Sequence, residues 1–204
     1  MKTSFLGKSN KSIKKGMYLL DPIERKQDLI NHGVDIWNIY DFMYLDKNKT
    51  PKLKVLEIQI PYESKLIIES KSMKLYMNQF YKKSFINDQE LLKKIKNQIE
   101  KRIKSKIKVK LLKYFHPEPK FKYLNNSKQK FTSPNTVYKF NGFRSICPVT
   151  SQPDFANIYI YTDKKIKVDW LNKYLISFKE HGGFHEKCID EIYTNLEKEF
   201  YPNH

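Results

Sequence analysis

An α+β fold is predicted, on three observations. Two stretches alternate at period two, Ile36 to Leu45 and Leu53 to Ile60. Two helical stripes follow them, and the same order of elements restarts near Phe155. Alternation at period two marks a strand with one covered face, whereas apolar residues three and four apart mark a helix face. The chain therefore reads as an internal pseudo-repeat whose second copy lacks its closing strands.

In the first copy, Ile36 to Leu45 is β-branched and aromatic with Asn and Asp interspersed, the pattern of a half-exposed strand. Asp46 to Pro51 has turn chemistry, so the run through Ile60 is expected to pair back as an antiparallel hairpin. The period changes at Glu69, where Met73, Tyr76, Met77 and Phe80 fall on one helix face. Asp88 is the expected N-cap of a second helix whose buried stripe is Leu92, Ile95, Ile99 and Ile103. Lys106 to Tyr114 alternates again and returns as a strand.

From Phe115 to Asn141 the signal fades among prolines, Lys and Asn, and this stretch is read as a linker or surface excursion. Phe143 to Pro153, with Cys147 near its middle, reads as an ordered loop leading into a strand from Phe155 to Thr162. A helix over Val168 to Phe178 carries Trp170, Leu171, Tyr174, Leu175 and Phe178, and His181-Gly182-Gly183 breaks it. A last helix from about Phe184 carries Ile189, Ile192, Leu196 and Phe200. The expected organisation is a module over 1–114, a linker over 115–141 and a shorter module over 142–204.

The 204 residues carry 39 Lys+Arg against 22 Asp+Glu, a net charge of +17 that would suit a nucleic-acid partner. Only Arg25, Arg102 and Arg144 are arginines, however, and the excess is Lys beside abundant Asn, Ile, Tyr and Phe, the set that A/T-rich codons favour. A surface built to read phosphates and base edges draws on the arginine fork. No nucleic-acid partner is therefore expected, and a basic RNA-binding protein is kept as a rival. No apolar run approaches the ~20 residues of a membrane span, and two cysteines are too few for a disulfide framework. A cytoplasmic protein is expected.

Cys147 sits in a segment of small polar residues between prolines. As a nucleophile it needs thiolate character and a partner that moves protons, and Asp154, seven residues on, could serve. The alternative is a small buried side chain. His185 and Glu186 open the last helix after Gly-Gly. Glu186 could accept paired hydrogen bonds from a purine-like edge, or it could simply cap the helix. Cys188 shares an apolar face with Phe184 and Ile192 and is read as core, which argues against a zinc site with His185. In Glu69-Ser70-Lys71-Ser72-Met73-Lys74, free N–H groups at a helix start, two hydroxyls and two lysines could hold phosphate while Glu69 held a base. The same six residues would also serve as a capping segment.

Taken together these segments resemble the 7-cyano-7-deazaguanine reductases, the nitrile reductases of queuosine biosynthesis. Glu69 to Tyr76 is similar to the family's E-S-K-S-x-K-L-Y motif. The Cys-Pro-x-Thr-x-Gln-Pro-Asp run from Cys147 to Asp154 is similar to its catalytic-cysteine segment. Ser177 to Cys188 resembles its S-F-R-x-H-x-x-F-H-E-x-C segment. The first motif precedes the cysteine, as in the two-module branch, whose N-terminal part Leu6-Gly7-Lys8-Ser9 and His32 to Trp37 also resemble.

The resemblance implies tandem tunnelling-fold modules, each an antiparallel sheet with two helices on one side, associating as a homodimer. It implies NADPH-dependent reduction of 7-cyano-7-deazaguanine to 7-aminomethyl-7-deazaguanine. Cys147 would add to the nitrile to give a thioimide, and Asp154 would protonate the nitrogen. Ile68, Glu69, Ser70, Phe184, His185 and Glu186 would bind substrate, Ser70 and Lys71 would meet NADPH, and no metal is involved. Family members continue past the last helix into a strand and an R-x-G-G-x-D-like segment, whereas this sequence ends Tyr201-Pro202-Asn203-His204. The expected second sheet therefore lacks its final strands, and a catalytically impaired deazapurine-binding remnant is the second rival.

Overall fold

A computed structural model describes residues 15–25, 33–125 and 127–201, so Leu6 to Ser9, His32 and Pro202 to His204 lie outside the described residues. The chain divides into two units, Met1–Phe115 and His116–His204.

In the first unit, β1 (Pro22–Glu24), β2 (Val34–Leu45), β3 (Pro51–Pro61), β4 (Leu66–Ile68), α1 (Ser70–Asn78), α2 (Asp88–Ile103) and β5 (Lys108–Leu112) follow in order. β2 and β3 form the expected antiparallel hairpin, and β5 returns antiparallel to β3, giving the sheet order β2-β3-β5. The Asp46 carboxylate closes the hairpin by accepting the N–H groups of Asn48 and Thr50, both at 2.9 Å. Lys49 takes the left-handed conformation there, with φ of 62°.

Between Ile39 and Phe42 the register of β2 shifts. Asp35, Trp37 and Ile39 turn inward before that bulge, and Phe42 and Tyr44 after it. An inserted residue reverses the faces of a strand, and the bulge keeps both halves on the core. Phe42, Tyr44, Leu56, Ile58 and Ile60 pack there against Met73, Tyr76, Met77 and Phe80 and against the α2 stripe.

That stripe is Leu91, Ile95, Ile99 and Ile103; Leu91 is fully buried, whereas Leu92, expected in its place, is only partly covered. The cap is also one residue earlier than expected. Asn87, not Asp88, accepts the Glu90 N–H at 2.9 Å, and Asp88 instead accepts the Tyr44 hydroxyl. The β1–β4 ladder, three residues a side, has no counterpart in the sequence reading.

The second unit holds β6 (Lys122–Tyr123), β7 (Thr136–Ile146), β8 (Pro153–Thr162), α3 (Val168–Ser177) and α4 (His185–Phe200). β7 and β8 are antiparallel, and β6 adds a two-residue parallel ladder, giving the order β6-β7-β8. The stretch expected as a linker contributes to this unit: Leu124 is fully buried, the Thr132 N–H donates to the Ile166 carbonyl at 2.8 Å, and β7 already begins at Thr136. Phe143 to Ile146, expected as loop, is the end of β7. The cause is a second bulge, between Phe140 and Phe143, where Gly142 has φ of 74°. Tyr138 and Phe140 face the core before it and Phe143 and Ser145 after it, so no single alternation runs through the strand.

Leu171, Leu175, Phe178, Cys188 and Ile192 from the helical part close this core. Trp170 and Ile189, expected on buried stripes, are 36% and 46% exposed. The units share a construction: a bulged hairpin, a helix ending in a 3-10 turn, and a second helix. Both make the same backbone brace. The Leu45 N–H donates to Lys83 and its carbonyl accepts from Phe85; likewise the Ile146 N–H donates to His181 and its carbonyl accepts from Gly183.

Candidate active site

Six residues, Cys147 to Gln152, connect β7 to β8. The Cys147 N–H donates to the Gln152 carbonyl and the Ser151 N–H to the Cys147 carbonyl, both at 2.9 Å, and Ser151 is left-handed with φ of 57°. This tight return points the N–H groups of residues 149 and 150 back at the cysteine. Desolvation is the largest single influence on the half-buried thiol and raises its pKa. The Thr150 hydroxyl and the backbone N–H groups of Thr150 and Val149 together outweigh it, so Cys147 lies below the ordinary thiol value. Donors that stabilise the charged form of an acid lower its pKa, as in reactive cysteines generally. The negative charge of Asp154 acts the other way.

Asp154 is the second residue of β8, directly opposite Ser145 of β7. Cross-strand partners point to the same face, and Ser145 is wholly buried, so the partly covered Asp154 lies on the helix side of the sheet. Sequence spacing of seven is thus converted into proximity by the β7–β8 return.

The start of α4 is held close to this loop by the brace. The Ile146 N–H donates to the His181 carbonyl at 2.8 Å and the Gly183 N–H to the Ile146 carbonyl at 3.1 Å, one residue before Cys147. Arg144 reinforces it by donating to the Lys179 carbonyl and to Glu180 Oε1, the latter at 3.2 Å. Phe184 is the N-cap of α4, without a side-chain cap, and His185 and Glu186 occupy its first turn. His185 Nε2 is shielded from solvent and has no hydrogen-bond partner among the described residues. Cys188 is fully buried, as expected of a core residue, and burial raises its thiol pKa. Cys147, Asp154, Phe184, His185 and Glu186 therefore belong to one unit and are joined through β7.

The Glu69 segment lies in the other unit. Glu69 is the N-cap of α1, and its buried carboxylate accepts the Lys71 N–H at 2.8 Å and the Ser72 N–H at 2.7 Å. Two of the N–H groups expected to be available for phosphate are thus occupied by the chain itself. Ile68 is 1% exposed in the core, which leaves only its backbone to a ligand. Ser70, Lys71 and Lys74 line a cavity of about 760 Å³ together with Trp37, Tyr40 and Asp41. A hydroxyl and two ammonium groups suit the phosphates of a dinucleotide. Thr150 is the threonine of the Cys-Pro-x-Thr-x-Gln-Pro-Asp run but has no assigned role in the sequence, because a threonine in a polar loop carries no periodic signal; its place three residues after the cysteine, within one turn, was the available clue. Among the described residues no three His, Cys, Asp or Glu side chains converge on a metal position.

Residues 18–111 match the family described as nitrile reductase, 7-cyano-7-deazaguanine-reductase N-term, and residues 153–204 match the family described as QueF-like protein. The chain is similar to the NADPH-dependent 7-cyano-7-deazaguanine reductase of Buchnera aphidicola subsp. Schizaphis graminum, at 34% identity over 212 positions, covering 87% of this chain and 80% of the relative. The protein of the same description from Acinetobacter baylyi is 29% identical over 196 positions, covering 85% and 72%.

Proposed function

Since the chain belongs to the 7-cyano-7-deazaguanine reductase family, we propose that it reduces the nitrile of 7-cyano-7-deazaguanine to the aminomethyl group, with NADPH, in queuosine biosynthesis. The observation that carries the chemistry is the acidified Cys147 thiol facing the influence of Asp154 on the adjoining strand.

The Cys147 thiolate attacks the nitrile carbon, forming a C–S bond as one π pair of the C≡N bond moves to nitrogen. Asp154 gives that nitrogen a proton, and a thioimide results. The negative charge of Asp154 works against the Cys147 thiolate, while the donors of the loop work for it. Covalent attachment converts a poor hydride acceptor into a C=N carbon. NADPH, when bound, supplies hydride; after the first equivalent the C–S bond breaks with its electron pair returning to Cys147 as thiolate, and the second completes the four-electron conversion to the amine. Ser70 and Lys71 would hold it through a hydroxyl and a charge.

Glu186 accepts the paired N–H donors of the deazaguanine edge, and the shielded Nε2 of His185 supplies a further polar contact. Phe184 packs on the ring. Glu69, with its neighbours Ile68 and Ser70, binds the base through the lone pairs that capping leaves available.

The finer architecture is a tandem tunnelling fold, supported by the bulged hairpin and brace repeated in both units. Homodimer formation is supported by β2 and β8, edge strands of their sheets, where among the described residues the outer side of β2 is bridged at Leu45. No described helix is long and apolar enough to cross a membrane, and a cytoplasmic location would keep Cys147 reduced.

The test is incubation with 7-cyano-7-deazaguanine, reading adduct mass and NADPH oxidation, with Cys147→Ala as control. An adduct of substrate mass on wild type and none on the variant is expected. No adduct on folded wild-type protein overturns the assignment.

A further inference from the structure

His181 is absent from the chemistry above, yet it stands where three constraints meet. Its carbonyl accepts from Ile146, the residue that precedes Cys147. Its ring meets Phe178 edge-on at 5.3 Å between centroids, and its Nε2 lies 3.1 Å from Glu191 Oε2 in the second turn of α4. The imidazole is turned so that this contact is close without being an aligned hydrogen bond. Gly183 explains how the ring fits: a Cβ there would lie 3.2 Å from His181 Cδ2 and 3.3 Å from Cys188 Sγ. Glu191 is also approached by Lys187 at 3.2 Å, one helical turn earlier.

The first unit supplies an internal comparison. It builds the same backbone brace between Leu45 and residues 83–85, with Lys83 in the place of His181. Lys83 reaches back to Gln79 at 3.1 Å, and Asp46 follows Leu45 where Cys147 follows Ile146. The ladder is therefore architecture common to both units. What the second unit adds is a side chain tying the ladder to the body of the helix that begins with His185 and Glu186.

We propose that His181 is a positioning residue: through Glu191 it clamps residues 181–183 onto β7 and so fixes Cys147 relative to the first turn of α4. This rests on the proposed function for its kinetic consequence, while the clamp itself is open to measurement without substrate. A nucleophile adding to a nitrile must be held in a near-attack geometry, and small misplacements reduce the rate strongly.

The experiment compares wild type, His181→Ala, His181→Gln and Glu191→Gln. Amide hydrogen exchange at Ile146 and Gly183 reads the brace, with the matching amides of Leu45 and Phe85 as controls. Adduct formation with 7-cyano-7-deazaguanine reads the chemistry. His181→Ala is expected to exchange at least about tenfold faster at Ile146 and Gly183 with Leu45 and Phe85 unchanged. Its maximal rate of adduct formation should fall about tenfold or more, with the half-saturating concentration within about twofold. His181→Gln, whose amide can reach Glu191, should recover most of both, and Glu191→Gln should lose part of each. Unchanged exchange in His181→Ala, or a loss spread equally over the control amides, overturns the proposal. If wild type forms no adduct the assigned reaction falls, and the exchange data alone then decide the clamp: selective loss upholds it, and none overturns it.

Discussion

Replacing Thr150 with valine keeps the shape of the side chain and deletes the hydroxyl that bonds the Cys147 sulfur. A hydrogen bond to a charged acceptor is worth roughly 1.5–3 kcal/mol, and the solvent access of this loop reduces that to about 1 kcal/mol. About 1 kcal/mol lowers the thiolate-to-thiol ratio at neutral pH roughly fivefold. The less acidic thiolate is intrinsically more nucleophilic, with a Brønsted slope of about 0.4–0.5, which returns part of the loss. The net expectation is iodoacetamide alkylation about two- to threefold slower at neutral pH and faster on the alkaline plateau, so the two pH–rate curves cross.

The sign follows from the lowered pKa of Cys147. Its alkylation rises with pH through a midpoint below that of an ordinary thiol, and Thr150→Val moves the midpoint upward. The same displacement makes the folded state more stable at alkaline pH, above the ordinary thiol value, a gain lost as pH falls through the lowered one. Mass spectrometry that separates Cys147 from the buried Cys188 is the assay. Superimposable pH curves for wild type and Thr150→Val would refute the activation argument, and curves displaced without crossing would refute its nucleophilicity part.

Asp154→Asn separates the two roles of the carboxylate: removal of its charge should speed Cys147 alkylation at neutral pH, while loss of the proton donor slows NADPH oxidation by about 10²-fold or more; slower alkylation would contradict the electrostatics. Glu69→Ala removes two N-terminal hydrogen bonds of α1 and should destabilise the protein by about 1–2 kcal/mol in urea denaturation without any ligand; an unchanged midpoint would show that Glu69 is kept for binding alone.

How far the fold could be read from the chain depended on how long each pattern ran before something interrupted it. The α1 face and the Ile95, Ile99, Ile103 stripe lie in uninterrupted runs and were legible, and the β2–β3 hairpin was legible despite its bulge because the Asp46 to Pro51 turn and the alternation of β3 mark it. β1, β4 and β6 are two or three residues long, too short to show a period. β7 was hidden because its bulge reverses the alternation and because Lys139 is buried. That lysine bonds Glu118 at 3.0 Å and lies over the rings of Phe121 and Tyr159, at 4.8 and 5.3 Å, where charge and aromatic faces replace water. In the site, Cys147 and Asp154 could be nominated from residue type and spacing. That Glu69 is committed to capping and that Thr150 touches sulfur depend on backbone direction, which residue order does not reveal.

The bulge at Asn141-Gly142 has a consequence for how this segment can change over time. Substitution is tolerable at the exposed Asn141, whereas Gly142 has space for a Cβ but takes φ of 74°, a conformation that strains every other residue. Length is another matter. Losing one residue between Phe140 and Phe143 would rotate Phe143, Ser145 and Cys147 to the opposite face while β8 and Asp154 stayed where they are. Asn141 can drift, but the glycine and the residue count are fixed, and a single in-frame codon deletion there would turn the sulfur away from its acid while leaving every residue of the pair intact.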